Sequence, residues 1–404
     1  MASGALRALH SVRPQVHLST SLDPHVNLAW EDVVLRGAPP TQHVCFLYRN
    51  APCVVVGRNQ VCAFRAVRSS QNLWSEVDPR AMQHERVPLV RRRSGGGSVY
   101  HDPGNVNFSF HMPKAAFARR THTELVAHAL QAPPLSLPHR FGMPPVFPTE
   151  RNDLAVLGRH ATSADPGFVR KVSGNAYKLT GKRAYHHGTL LVAADVRRMR
   201  LLRRPDTHAM ETSGVASVAS PVANLAQTFP AQDVTCARVV DAVALEFQRV
   251  HGNSDVHTID EASMLADARL AASVRELRSW EWVFGASPDM SVRVRLDAAQ
   301  IAACIPPLSR TARGAAASPP CSASCTLHLH VHRGKIARVH MDGSAEEMEC
   351  ALQGLVGVPY DCLAAAPLSV VGGPVDAEGA GAPMDAEWAG TPPTALAACL
   401  RAVL

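Results

Sequence analysis

The chain has 404 residues, 46 % of them hydrophobic and 19 % charged, and carries a net charge of +7 at neutral pH. That is long enough for two or three domains with their own cores, and no run of about 18 apolar residues occurs, so no membrane span is predicted. With only 5 % aromatic residues and no zinc-finger, RNA-recognition or basic-zipper pattern, the positive charge points to acidic partners of another kind than nucleic acid.

Residues 1 to 21 hold Arg7, His10, Arg13 and His17 among serines and alanines, with no acid until Asp23. The composition is like that of a mitochondrial transit peptide, and the lack of a long apolar core argues against a secretory signal. Asp23-Pro24 then offers an N-cap and a first-turn proline, and Val26, Trp30, Val33 and Val34 recur at helical spacing. Strand-like runs follow at residues 45 to 48 and 53 to 56. Val87, Leu89 and Val90 read as a short buried strand, and Val106, Phe108 and Phe110 alternate with Asn107 and Ser109 in another. Thr121 and Glu124 make a capping-box pattern that predicts a helix starting there. A proline-rich loop is predicted over residues 131 to 148, an apolar strand over 189 to 192, and helices over 237 to 250 and 259 to 276. A second, small α+β unit is predicted from Trp280 onward, with strands near 292 to 296, 326 to 332 and 335 to 341. Ala/Ser/Pro/Gly-rich insertions at 305 to 324 and 364 to 395 interrupt it. The predicted boundaries are thus 1–21, 22–275 and 276–404.

Between the strands at 87 to 90 and 106 to 110 lies Arg91-Arg92-Arg93-Ser94-Gly95-Gly96-Gly97-Ser98-Val99-Tyr100. Three consecutive glycines can press backbone N–H groups against a phosphate. A strand follows instead of a helix, which excludes a P-loop and a dinucleotide fingerprint. The expectation is that the loop amides and Arg91 to Arg93 hold an anion; a hairpin loop with solvated arginines is the alternative. Of the 41 basic residues only Lys114, Lys171, Lys178, Lys182 and Lys335 are lysines, and three of them fall within residues 171 to 182. Lysines kept in an arginine-rich chain suggest a need for compact point charges. The segment from Lys171 to Lys178, with Arg151-Asn152-Asp153-Leu154 before it and His186-His187-Gly188-Thr189 after, supplies fixed positive charge. No Ser/His/Asp or Cys/His arrangement is legible. Such parts suit a reaction run by alignment and electrostatics, such as carboxylate activation on a nucleotide phosphate. The ten cysteines are irregularly spaced and suggest a reducing compartment. The best metal candidate is Cys321, Cys325, His328, His330 and His332, but the histidines alternate with Leu327, Leu329 and Val331, so a solvated strand face is the expected reading.

These motifs, from Arg92 to Asn107, 151 to 154, 171 to 178 and 186 to 191, together with Asn27-Leu28-Ala29 and Gly57-Arg58-Asn59-Gln60, resemble the lipoate-protein ligase A and lipoyltransferase family over about residues 23 to 230. The resemblance implies an α+β fold, a mixed β-sheet flanked by helices like the biotin-ligase catalytic domain, with a small C-terminal domain. It implies that Lys171 contacts both the acyl carboxylate and the α-phosphate of an acyl-adenylate, with Asp153 beside the reacting centre as a catalytic group and Mg²⁺ ligand. Arg92, Gly97, Ser98, Val99 and Tyr100 would bind ATP; Gly95, Gly96 and His187 would bind lipoate; and Asn152, Asn105, Lys178, Gly174 and His101 would support the site. Glu150, Ala219 and Pro221 depart from the family pattern.

Family members with a small domain after the catalytic one usually activate free lipoate, and Trp280 to Gly285 resembles the start of that domain. The implied function is therefore ATP-dependent lipoylation of a lysine on lipoyl domains of 2-oxoacid dehydrogenase acyltransferase subunits and on the glycine-cleavage H protein, in the mitochondrial matrix. An amidotransferase using a carrier-bound, CoA-bound or preformed adenylate donor is the alternative, and a non-catalytic lipoyl-protein binding module is a third. Arg197, Arg198, Arg200, Arg203 and Arg204 are a candidate patch for steering acidic acceptors.

Overall fold

A computed structural model describes residues 13–58, 71–140, 142–158, 169–202, 209–212, 216–297, 324–342, 349 and 352–361. In the larger of two units, strands β1 (Gln15–Ser19), β2 (Val44–Tyr48), β6 (Asn105–Pro113), β10 (Asn175–Leu179), β11 (Arg183–Leu191) and β13 (Asp255–Ile259) form one sheet in the order β10-β11-β6-β2-β1-β13. The sheet is mixed: β1 runs parallel to both β2 and β13, and the remaining pairs are antiparallel. Period-two alternation sorts its side chains. Val16, Cys45, Leu47, Val106, Phe108, Phe110, Ala184 and Leu190 face helices α2 (Arg119–Gln131) and α3 (Cys236–His251), whose Leu125, Val126, Val243 and Phe247 complete the core.

The opposite face meets helix α1 (Pro24–Gly37), which is buried almost all round. Asp23 caps it as expected, its Oδ1 accepting from the amides of His25 at 2.7 Å and Val26 at 3.3 Å. Because α1 is enclosed, its polar residues need partners inside the protein. Asn27 donates to Asn50 Oδ1 and to the Ser21 carbonyl, both at 2.9 Å, and Glu31 accepts from the Tyr48 hydroxyl at 3.1 Å.

Two small sheets carry the remaining site segments. Strands β3 (Cys53–Val56), β4 (Leu89–Arg91) and β5 (Val99–His101) form the first, in the order β4-β3-β5, so the glycine run is the β4–β5 connection. Strands β7 (Phe147–Pro148), β8 (Leu154–Leu157) and β9 (Val169–Lys171) form the second.

Three expectations need correction. Residues 15 to 19, read as part of a leader, are a strand inside the sheet; residues 1 to 12 lie outside the described part. Helix α2 starts two residues before Thr121, after an N-cap at Ala118 without a side-chain hydrogen bond, and Glu124 pairs with Arg120 at 2.7 Å instead of capping. Residues 259 to 276 are not one helix: Ile259 ends β13, and shorter helices follow at Glu261–Leu265 and at Ala268–Arg278, hereafter α4. Asp260 separates strand from helix, its carboxylate accepting from Ser263 N at 2.8 Å.

The second unit is discontinuous in sequence, gathering residues 61–89, 201–216 and 278–404, whereas the larger unit holds 1–60, 90–200 and 217–277. Its sheet runs β12 (Ala209–Thr212), β14 (Met290–Asp297), β15 (Ser324–His332) and β16 (Lys335–Met341). Trp74 joins its core, stacked on Phe284 at 5.7 Å and edge-on to Tyr360 at 5.1 Å between ring centroids. Those partners lie more than two hundred residues from Trp74, so no boundary read from local composition could place it. His328, His330 and His332 do alternate with buried Leu327, Leu329 and Val331. His328 and His332 pair with Asp342 and Asp289, each at 2.9 Å. Cys321 and the insertion residues 305 to 323 and 364 to 395 lie outside the described part.

Candidate active site

The glycine loop is shaped from beneath by arginines. Arg92 is buried, and its guanidinium is spent on the loop: Nε donates to Ser94 Oγ at 3.0 Å and Gly95 O at 3.1 Å, and Nη2 to Gly95 O at 2.5 Å and Gly97 O at 2.8 Å. Nη1 reaches Val55 O at 3.2 Å. Burial pulls Arg92 down to about 10 and Arg91 to about 9, so both stay charged at neutral pH. Arg91 donates to Gly57 O at 3.0 Å, and Arg93 bridges Asp32 at 3.6 Å and Glu276 at 2.6 Å. The three arginines are therefore not a phosphate clamp: Arg91 and Arg92 hold carbonyl oxygens inward, and Arg93 is spent on carboxylates. A trans peptide sets its N–H opposite its C=O, so with Gly95 O turned to Arg92, the Gly96 N–H faces away from it. Gly96 and Gly97 are the exposed residues of the run.

Two glycines are required by this shape. Gly96 has φ +84, a left-handed conformation that strains other residues. At Gly57 a Cβ would sit 2.4 Å from Gly96 O, so only glycine lets the loop approach. Arg92→Ala would leave several buried carbonyls without donors; affinity for the anionic ligand implied by the sequence is expected to fall at least about tenfold, read by titration calorimetry with a nucleoside triphosphate as the probe.

Lys171 closes β9. Its N–H donates to Pro221 O at 2.8 Å, Ala223 N donates to its carbonyl at 3.0 Å, and across the ladder it faces Ala155. Held from both sides, it aims its ammonium at Asp153 Oδ2, 2.8 Å away and partly open to solvent. Asp153 follows Asn152, whose φ of 61 completes a tight turn in which Asn152 N donates to Thr149 O at 2.9 Å and Thr149 N to Asp153 O at 2.8 Å. Gly174 borders the same place: a Cβ there would lie 3.7 Å from Val99 Cγ1, 3.7 Å from Thr189 Oγ1 and 3.8 Å from Lys171 Cε. The ends of β5, β9, β10 and β11 thus converge around one cation beside the glycine loop, whose Gly96 lies against Ala176 of β10.

On the face of β11 that also carries Thr189, His187 Nε2 lies 2.7 Å from Ser94 Oγ, and its Nδ1 lies 2.9 Å from Glu31 Oε1. Ser, His and Glu are brought together here by the fold alone, since 156 positions separate His187 from Glu31 and no local pattern links them. Arg92 Nε–H donates to Ser94 Oγ, and the His187 ring sits between that hydroxyl and the Glu31 carboxylate, within hydrogen-bond distance of both. A fully buried serine held this way braces the loop and is not an exposed nucleophile.

Lys178 turns the other way, to Asp32 at 2.8 Å. Burial pushes the Asp32 carboxyl up, but Lys178, Arg93 and Arg36 together overcome this and hold it below the ordinary range. Lys178 is thus a scaffold charge. Tyr100, His101 and Asn105 are also turned into the protein: Tyr100 is buried, His101 is bonded to Asn50 at 2.9 Å, and Asn105 donates to Asn107 at 2.9 Å. Ser98 N donates to Ser217 Oγ at 2.9 Å. Of the arginine patch, Arg197 pairs with Asp195 at 2.9 Å, and Arg203 and Arg204 lie outside the described residues.

Comparison with known proteins fits this geometry. The family model for the lipoyl protein ligase A/B catalytic domain matches residues 23–248. The chain belongs to that family. It is 34 % identical over 278 residues to the lipoate-protein ligase A of Bdellovibrio bacteriovorus, covering 69 % of this chain and 74 % of that relative. Its fold is similar to that of P. falciparum LipL1, solved in complex with lipoate, with a TM-score of 0.51 at 20 % identity over 86 % of this chain and 90 % of the other. The α+β mixed-sheet class expected from the sequence is the one observed, and the chain is an enzyme of the lipoate-protein ligase kind.

Proposed function

We propose that this ligase activates lipoate with ATP and passes the lipoyl group to a lysine of lipoyl-domain proteins. The observation that carries the reading is the partly exposed ammonium of Lys171, at the same place in the fold as a glycine loop whose Gly96 and Gly97 are exposed. A lipoate carboxylate and an α-phosphate repel each other, and one cation between them lowers that repulsion as the bond forms. In the first step a carboxylate oxygen attacks the α-phosphorus and pyrophosphate leaves. In the second the acceptor amine attacks the acyl carbon and AMP leaves, forming the amide.

Among the described residues no group of three His, Cys, Asp or Glu side chains is placed to hold a metal. Mg²⁺ commonly binds through one carboxylate and substrate phosphates, which Asp153 fits through its second oxygen, so the ion would arrive with the nucleotide. Acceptors are lipoyl domains of 2-oxoacid dehydrogenase complexes and the H protein. Residence in the mitochondrial matrix is part of the proposal; any leader must end before Gln15, where the sheet begins.

The test is the intact mass of an apo lipoyl domain after incubation with the full chain, lipoate and Mg-ATP. A lipoyl mass shift that requires ATP is expected. Transfer only from lipoyl-adenylate, an acyl-CoA or an acylated carrier would replace the ligase with a transferase.

A further inference from the structure

We infer that Asn175 is a positioning residue for the Lys171–Asp153 pair, acting through the carbonyl of Asn152; the inference rests on the ligase reading of that pair. Asn175 Nδ2 donates to Asn152 O at 2.7 Å, from the edge strand β10 to the turn that precedes β8. That carbonyl belongs to the left-handed residue whose conformation aims the next side chain, Asp153, at Lys171. Thr123 Oγ1 is also near Asn152 O, at 3.0 Å, but its one proton is shared with Arg119 O at 2.9 Å, the usual bond of a threonine to the preceding helical turn. Asn175 is therefore the dedicated donor.

The rest of the fold makes room for it. Asn175 lies directly across the ladder from Gly188, and a Cβ at Gly188 would stand 2.1 Å from Asn175 Oδ1, 2.4 Å from Phe108 Cζ and 3.0 Å from Gly174 O. A glycine inside a nine-residue buried strand weakens the strand for no packing gain. Here its absent side chain leaves the space that Asn175 Oδ1 occupies. The chain of dependence runs from Gly188, which gives space, to Asn175, which bonds the turn, to Asn152, which stays left-handed, to Asp153 and Lys171.

Two anionic reactants must be aligned within a fraction of an ångström, and a misplacement of about 1 Å can cost roughly 100-fold in rate. Asn175→Ala is expected to lower kcat for lipoate-dependent pyrophosphate release by about 10- to 100-fold, with KM for ATP moving far less. In an Asp153→Ala background the same change should have no further effect, because the group it positions is gone; losses that multiply would overturn the inference and leave Asn175 as ordinary packing. Asn175→Asp is the isosteric control. It should be as slow as the alanine variant at neutral pH, where a carboxylate faces a carbonyl. An Asn175→Asp enzyme as fast as wild type at neutral pH would also overturn it. Should wild type release no pyrophosphate, the ligase reading fails, and the same cycle read on transfer from lipoyl-adenylate still decides the role of Asn175.

Discussion

Lys171→Met is expected to reduce adenylate formation by about 100- to 1,000-fold, the loss typical of removing one preorganised electrostatic contact to developing charge. Methionine keeps the length of the stem and loses only the ammonium, so the strand contacts of Lys171 to Pro221 and Ala223 survive. The loss should appear in kcat for pyrophosphate release and be accompanied by a raised KM for lipoate, since the carboxylate loses its counter-charge in the ground state as well. Lys178→Met is the informative contrast. Its ammonium is committed to Asp32, so its removal should lower thermal stability and leave kcat within a few-fold. A Lys171→Met enzyme retaining more than a tenth of wild-type kcat would remove the central cation from the mechanism.

Acid should unfold the larger unit well above the pH at which most carboxylates protonate. Burial lowers His17, His101 and His186 to about 3 and His122 to about 4, and takes His111 well below its ordinary value. All are neutral in the fold, whereas in the unfolded chain they titrate near 6.5. Above pH 6.5 neither state binds these protons and the histidines do not affect stability. Below it the unfolded state binds more, so stability falls with pH down toward the folded values. Each histidine contributes a loss of about 1 kcal/mol between pH 6.5 and 5.5, and five acting together remove roughly 5 kcal/mol, comparable with the whole stability of many domains. Tryptophan fluorescence followed through an acid titration should show a cooperative transition between about pH 5 and 6. Native emission persisting at pH 4 would mean that the histidines protonate in place.

How much of this was legible depended on the range over which each signal acts. Helix α1, strands β2, β3 and β6 and the C-terminal strands follow from side-chain alternation and caps that lie within a few residues of one another, and all were predicted close to their observed bounds. Lys171 stands out in the sequence as one of few lysines in an arginine-rich chain and Asp153 only through the family resemblance, and the fold brings the two within 2.8 Å. The direction of a side chain was not legible. Arg91 to Arg93 look the same in sequence whether they grip a ligand or their own loop, and only the carbonyls of Gly57, Gly95 and Gly97 decide it. The Ser94–His187–Glu31 cluster and the membership of Trp74 in the second unit depend on pairings across more than ninety residues, which no local pattern records.

Strand β1 has a consequence for how the protein is made. It lies between β2 and β13, and its second neighbour, beginning at Asp255, is synthesised 240 residues after its first residue, Gln15. At about 5 to 20 residues per second, translation leaves that gap open for roughly 10 to 50 seconds. Throughout it the β1 backbone presents an unpaired edge able to recruit a strand from another chain. The residues that arrive last in this sheet therefore protect those that arrived first, and a nascent chain stalled before Ile259 is the form of this protein most in need of a chaperone.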